Sequence, residues 1–515
     1  MPALLIHPRE WVGVVFGLVQ ALLAFYGLHR LGLLFLYYRA RRGRRTCPAP
    51  PVALPPPGTD WPLVTVQLPV HNERYVVARL VDAACALDYP TGRLDIQVLD
   101  DSTDDTTAIA AARIARHQAR GVDVTLLHRA RREGFKAGAM RAGLASAKGE
   151  LVAVFDADFV PGRDFLRRSV PVFADPGVGM AQARWGHLNE GYSALTGAQA
   201  LFLDGHFAIE HVARATTGRF FNFNGTAGLW RRTCIEDAGG WEHDTLTEDL
   251  DLSYRAQLRG WRFLYLPDLV APAELPVDIQ AFKSQQRRWA KGSMQTARKL
   301  LPILWRAPLP ARIKLEGAYH LSANAAYLCL LASLLLLGPV LGMPVTTPPW
   351  MSAAVLTTLF FTGTGAVSVF FLCAKRELGR GFRPSLARLP GALLLGAGLS
   401  LNNARGVLEA FLPGAGAWER TPKYALSRSG ESWRDRVYRP RERHCGVGEL
   451  ALGLYALALV GYALRLHRLA AIPFLVFLAA GFLYVAWLSY RSADLRLEPA
   501  PRAPLPAPAL SEPAA

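Results

Sequence analysis

Apolar and polar positions divide the chain into blocks. Long apolar runs flank a polar block at about 47–311, where apolar residues come only in short clusters. The first run, 11–38, is broken only by His29 and Arg30 as strongly polar residues. It exceeds the ~20 residues that cross hydrocarbon and is too long for a signal-peptide core, so it predicts a retained span. Runs 321–341 and 351–373 predict two more spans, and 448–464 and 472–490 the last two. Segment 389–412 contains Asn402, Asn403, Arg405 and Glu409, which are costly at mid-bilayer. A crossing there would also put the loop 414–444, with eight Lys or Arg, outside, against the positive-inside tendency. An interfacial helix and five spans are expected.

Within the polar block the period changes. Residues 64–68, 96–99, 122–127 and 151–155 are short β-rich or apolar runs, while 74–87 and 106–117 have helical spacing. Strand, helix, strand, helix, strand implies a parallel sheet with right-handed crossovers. Asp100-Asp101 and Asp156-Ala157-Asp158 follow two of these runs, at the C-terminal strand edge where open α/β sheets bind ligands.

Composition changes the picture in a few places. The chain has 515 residues, 51% hydrophobic, with a net charge of +17. Much of that charge lies beside apolar runs, as at Arg39, Arg41, Arg42, Arg44 and Arg45. Basic residues there suit anionic headgroups and place the polar block in the cytoplasm, so no nucleic-acid partner is expected. The cysteines at 47, 85, 234, 329, 373 and 445 show no metal spacing and predict reduced thiols. Pro-rich stretches 48–62 and 499–513 predict a linker and a disordered tail, the latter too short for a regulatory domain.

The acidic pairs carry the chemistry. Asp156 and Asp158 point the same way from a strand end, and two close carboxylates repel unless a cation lies between them. All-oxygen ligands favour Mg²⁺ or Mn²⁺. Lys136, where a Gly-containing turn enters a helix, would reach a nucleotide or its phosphates. Asp249, in Leu246-Thr247-Glu248-Asp249, is the candidate general base for an acceptor hydroxyl. The same residues also read as a helix start, with Thr247 as N-cap. Gln285, Arg288 and Trp289 share one helical face, with Arg288 suited to phosphate oxygens and Trp289 to a sugar ring. Basic neighbours also suit that helix to a membrane surface.

These residues, with Pro69-Val70-His71-Asn72-Glu73, Phe223-Asn224-Gly225-Thr226-Ala227-Gly228 and Arg420-Thr421-Pro422-Lys423, resemble family 2 glycosyltransferases of the cellulose synthase-like superfamily, closest to the cellulose synthase-like A (glucomannan 4-beta-mannosyltransferase) type. The resemblance spans roughly 64–423. It implies an α/β, A-type glycosyltransferase fold, Rossmann-like and nucleotide-binding, as a cytoplasmic domain at 63–280 within an all-α multi-pass region of the plasma (inner) membrane. It implies an inverting enzyme with a nucleotide-sugar donor. Asn72, Glu73 and Asp101 would contact the nucleoside, with Asp100 and Lys136 nearby. Asp156 and Asp158 would hold diphosphate and metal, and Asp249, beside Glu248, would be the base. Phe223, Asn224 and Gly225 would frame the acceptor. Gln285, Arg288 and Trp289 would close over the diphosphate, and the loop carrying Lys423 over the nucleotide.

Two enzyme readings stay open: a processive β-glycan synthase coupled to export, and a transferase adding one or a few sugars to a lipid acceptor. A transporter subunit with an inactive domain is disfavoured because no catalytic carboxylate is missing, and a glycoside hydrolase because it needs no D-x-D metal site. The choice between GDP-mannose, UDP-glucose and UDP-N-acetylglucosamine is not written in these motifs.

Overall fold

The computed structural model describes residues 8–43, 61–344, 361–414, 420–426, 430–433 and 446–494, with single residues 47, 358, 416, 436 and 438. Seven strands form one sheet: β1 (Val64–Val70), β2 (Leu94–Asp100), β3 (Val124–His128), β4 (Leu151–Val154), β5 (Val178–His187), β6 (Gly228–Arg231) and β7 (Arg262–Ala273). Their order is β3-β2-β1-β4-β6-β5-β7.

The half built by β1 to β4 is parallel, with helices Val77–Cys85, Thr106–Gln118 and Phe135–Ser146 between successive strands. The sheet as a whole is mixed, because β6 runs antiparallel to both β4 and β5 while β7 rejoins β5 in parallel. A wholly parallel sheet is therefore corrected beyond the fourth strand.

Alternation along β2 separates two cores. Ile96 and Val98 pack with Val64, Val66, Leu80 and Ile114 on one face. Leu99 packs with Met140, Trp230 and Trp241 on the other. Gly143 brings helix Phe135–Ser146 close to that second face, since a Cβ there would lie 2.6 Å from Leu99 Cδ2 and 2.7 Å from Gln67 Nε2.

Among the described residues three helical stretches are long and apolar enough to cross a membrane: Trp11–Arg42, Val447–Arg465 and Leu469–Ala493. Helices Ala311–Ser322 and Ala325–Leu341 make a fourth if taken together, bent by 61°. The span expected at 321–341 is thus the second limb of a bent pair. At the bend Asn324 donates to Ser293 Oγ at 2.7 Å. The span expected at 351–373 falls partly outside the described residues, and its described end is a π turn, Phe361–Gly365, leading into helix Ala366–Glu377.

The expected interfacial helix at 389–412 is two helices, Phe382–Gly398 and Ser400–Glu409. Two of its polar residues meet another helix: Asn402 donates to the Lys283 carbonyl at 2.9 Å, and Arg287 pairs with Glu409 at 2.5 Å. Both contacts fix the 28-residue helix Ile279–Arg306. Its Lys283 also forms a buried ion pair with Glu449 at 2.5 Å.

Candidate functional site

A pocket opens at the C-terminal ends of β1, β2 and β4. It is lined by Glu73 and Asp101 from the first two turns, Asp156 and Asp158 after β4, and Lys136 from the helix start at Phe135. Asn224 and Gly225 line it from the turn before β6, and Glu248 and Asp249 from the start of helix Glu248–Leu258. Gln285, Arg288 and Trp289 face it from helix Ile279–Arg306, and Arg420, Thr421 and Lys423 from the loop before residue 426.

The two aspartates of Asp156-Ala157-Asp158 are each met by a lysine. Lys136 Nζ bonds Asp156 Oδ1 and also donates to the Gly225 carbonyl at 2.9 Å. Lys423 Nζ bonds Asp158 Oδ2 and donates to the Glu274 carbonyl at 2.6 Å. The backbone N–H of Asp156 donates to Thr226 Oγ1 at 2.9 Å, fixing the turn. Burial pushes the Asp156 carboxyl up, Lys136 opposes this and Asp158 adds to it.

Asp249 sits in the first turn of its helix and takes the Leu250 N–H at 2.8 Å. Burial, then the Glu248 charge, push its carboxyl up to about 7, against the pull of Lys136. Gly225, at φ +80°, leaves the space in front of it: a Cβ there would lie 3.0 Å from Asp249 Oδ2 and 3.4 Å from Lys136 Nζ. Thr247 is the residue before the helix, but its hydroxyl makes no cap. It meets Thr296 Oγ1 at 3.1 Å instead, which corrects the expected capping role.

Three candidates stand apart from the pocket lining. Asn72, at φ +55°, accepts the Thr103 N–H at 2.8 Å while its own N–H donates to Ser102 Oγ at 2.8 Å, tying the first two strand-end turns together. Asp100 is fully buried, accepting from Ser102 N–H at 3.0 Å and from Thr107 Oγ1 at 2.6 Å. Phe223 is fully buried against Trp230, with ring centroids 5.5 Å apart. Asp100 and Phe223 thus lie buried behind the pocket wall, while Asn72 lies beside it at the strand-end turns. Asp101 does reach the pocket, held by both nitrogens of an Arg129 fork at 2.7 and 2.6 Å.

Other residues at the site were not legible. Glu274 and His187 lie at the ends of β7 and β5, strands whose pairing the polar-block pattern did not disclose. His206 and His211 fix Asn224: its Nδ2 donates to His206 Nε2 at 2.9 Å, and its Oδ1 accepts from His211 Nε2 at 2.5 Å. His206 belongs to a π-helical turn, His206–Glu210, a local form frequent at functional positions.

The pocket fits a divalent cation. Its lining holds seven acidic side chains, Glu73, Asp101, Asp156, Asp158, Glu248, Asp249 and Glu274, against five Lys and Arg. Glu73 Oε2 is buried without a hydrogen-bond partner, and burial pushes that carboxyl up to about 8. Asp156 and Asp158 are the oxygen donors suited to Mg²⁺ or Mn²⁺. A second acidic group, Glu242, Asp244 and Asp251, also gathers within ligand reach of one point. Lys299 Nζ already fills it, 2.9 Å from Asp244 and 3.0 Å from Asp251.

Comparison with known proteins agrees with this geometry. The profile described as glycosyltransferase like family 2 matches residues 62–292. Glucomannan 4-beta-mannosyltransferase 2 of Arabidopsis thaliana is 45% identical over 248 residues, 47% of this chain and 46% of that protein. Glucomannan 4-beta-mannosyltransferase 1 of Oryza sativa is 41% identical over 270 residues, 51% and 52% of the two chains. The chain therefore spans about half the length of the curated relatives it matches. A mannosyltransferase from Pyrobaculum calidifontis, solved in complex with GDP-Man and Mn2+, shares the fold at TM-score 0.51 and 23% identity, over 76% of this chain and 99% of that one. Residues 62–292 thus match the glycosyltransferase like family 2 model and share an A-type glycosyltransferase fold, built around a carboxylate-rich pocket at the sheet edge.

Proposed function

We propose that this protein is a membrane-embedded inverting hexosyltransferase that takes GDP-mannose, or UDP-glucose as second choice, and extends a β-linked polysaccharide. The observation that carries the reading is one pocket in which a raised-pKa carboxylate, Asp249, faces a lysine and arginine set placed to take a diphosphate. The relatives named for glucomannan 4-beta-mannosyl transfer favour mannose.

In this reading Lys136 and Arg288 meet the diphosphate, where fixed cations lower the cost of leaving-group charge. Arg288 offers the fork that phosphate oxygens prefer. Trp289 gives the sugar an apolar plane. Asp249 takes the proton of the acceptor hydroxyl as the new bond forms, a task suited to a carboxyl whose pKa lies near the working pH. Gly225 leaves room for the reacting sugar between Asp249 and Lys136. A cation held by Asp156 and Asp158 would add positive charge beside the leaving diphosphate.

Processive growth and export draw support from a second cavity, of about 430 Å³, among the apolar helices. Its lining mixes Tyr26, Tyr319 and Tyr327 with Gln20, Arg30 and Asn324, the aromatic and polar mixture that suits sugar rings. The two cavities adjoin: Gln285 lines one and Gln286 the other, and the Asn224 to His206 bond joins their walls. Basic residues around the first apolar helix favour a cytoplasmic catalytic domain at the plasma (inner) membrane.

The test is Asp249→Asn in membranes. Transfer from labelled GDP-mannose or UDP-glucose should fall by about 10²- to 10⁴-fold, the usual range for losing a general base, while donor binding stays within about twofold of the unchanged protein. Retained transfer would remove Asp249 from the mechanism.

A further inference from the structure

Away from the catalytic pocket, a cavity of about 370 Å³ lies between the turn before Ser193, the end of helix Ala366–Glu377 and the start of helix Phe382–Gly398. Its lining includes Lys375, Arg380 and Arg388, with Glu190 as the single carboxylate. All three cations converge on that one group: Lys375 Nζ lies 2.9 Å from Glu190 Oε1, Arg388 pairs with the same oxygen, and Arg380 stands 3.8 Å from Oε2. Asp204 also holds Lys375, which is almost fully buried. The set keeps a net positive charge with both carboxylates counted.

Gly381, Pro384 and Ser385 from the start of helix Phe382–Gly398 complete the lining, with the Ser385 hydroxyl donating to the Gly381 carbonyl at 2.8 Å. Phe382 and Leu386 are 63% and 46% exposed on the same helix, so an apolar surface adjoins the charged one. That pairing matches a lipid, with its phosphate beside its chains.

We propose that this cavity binds a phosphate group presented by an anionic lipid headgroup. Arg380 and Arg388 take the phosphate oxygens, and Lys375 keeps the site positive from behind while remaining paired to Glu190 and Asp204. The lipid source rests on the membrane placement proposed above; the phosphate chemistry does not. A hydrogen-bonded chain links the site to the carboxylate-rich pocket, because Lys375 pairs with Asp204, Asp204 bonds His187 at 2.9 Å and His187 lines that pocket.

The test uses the full chain in neutral detergent and native mass spectrometry with added phosphatidylglycerol, phosphatidylcholine or inorganic phosphate. Phosphatidylglycerol should bind in preference to phosphatidylcholine. The double variant Arg380→Ala, Arg388→Ala should bind it roughly thirtyfold more weakly, as expected for losing two headgroup-facing cations. Arg306→Ala with Arg312→Ala removes the same charge from exposed positions elsewhere and should leave that binding within about threefold. Glu190→Gln, which removes the competing carboxylate, should strengthen it, a gain that a damaged fold does not produce. A free-phosphate source instead gives inorganic-phosphate stabilisation lost in the same double variant. Equal loss in both double variants, or no gain in Glu190→Gln together with undiminished binding in the first, overturns the site.

Discussion

Asp249 concentrates the residue-scale argument, because its environment sets its working range. Its carboxyl is raised by burial and by Glu248 to about 7, so it is protonated below that pH and able to accept a proton above it. Transfer at saturating donor should therefore rise as pH increases through about 7 and level off above. A rate independent of pH from 5.5 to 8.5, taken here as roughly 1.5 units either side of that pKa, would contradict the assignment. Asp158→Ala should weaken nucleotide-sugar binding when Mg²⁺ or Mn²⁺ is present and remove the difference between metal and chelator, as read by calorimetry. Equal affinity with and without metal in the unchanged protein would sink the metal role. The pocket-lining positions among these residues were legible because carboxylates at strand ends carry an electrostatic reason to converge. The burial of Asp100 and Phe223 was not legible: a motif names neighbours in the chain, and only packing decides which of two adjacent side chains turns to the pocket and which, like Phe223 beside Trp230, turns to the core.

Element-scale behaviour turns on close approaches. Gly292 in helix Ile279–Arg306 faces Thr247, and a Cβ there would lie 2.6 Å from Thr247 Cγ2 and 2.9 Å from its backbone N. Gly292→Ala should cost about 1–3 kcal/mol, as overpacking does, and should lower kcat more than donor affinity, since Thr247 precedes Asp249 by two residues. Thermal unfolding and steady-state rates check both. Lys283→Ala leaves Glu449 buried without its partner and should destabilise by about 3–5 kcal/mol, whereas replacing both by Met and Leu should cost far less. A detergent-solubilised melting series separates these outcomes. The first four strands were readable because their apolar runs alternate with helical spacing. The last three were not, because the antiparallel insertion of β6 between β4 and β5 is a matter of long-range pairing. Nor did hydropathy foresee that the run at 321–341 is one limb of a pair, bent by 61° from Ala311–Ser322.

For the whole molecule the question is where a product goes. The carboxylate-rich pocket and the cavity among the apolar helices share a wall at Asn224 and His206, and the proposed export of a growing chain would have to pass there. The direct measurement uses membranes containing this protein, a divalent metal, and labelled GDP-mannose, UDP-glucose or UDP-N-acetylglucosamine in separate reactions, with products sorted into alcohol-insoluble polymer and organic-extractable lipid. A mannan-forming transferase gives label from GDP-mannose in an insoluble polymer that a β-mannanase digests, abolished by Asp249→Asn. Label confined to the organic phase, or polymer formation unaffected by Asp249→Asn, would contradict it.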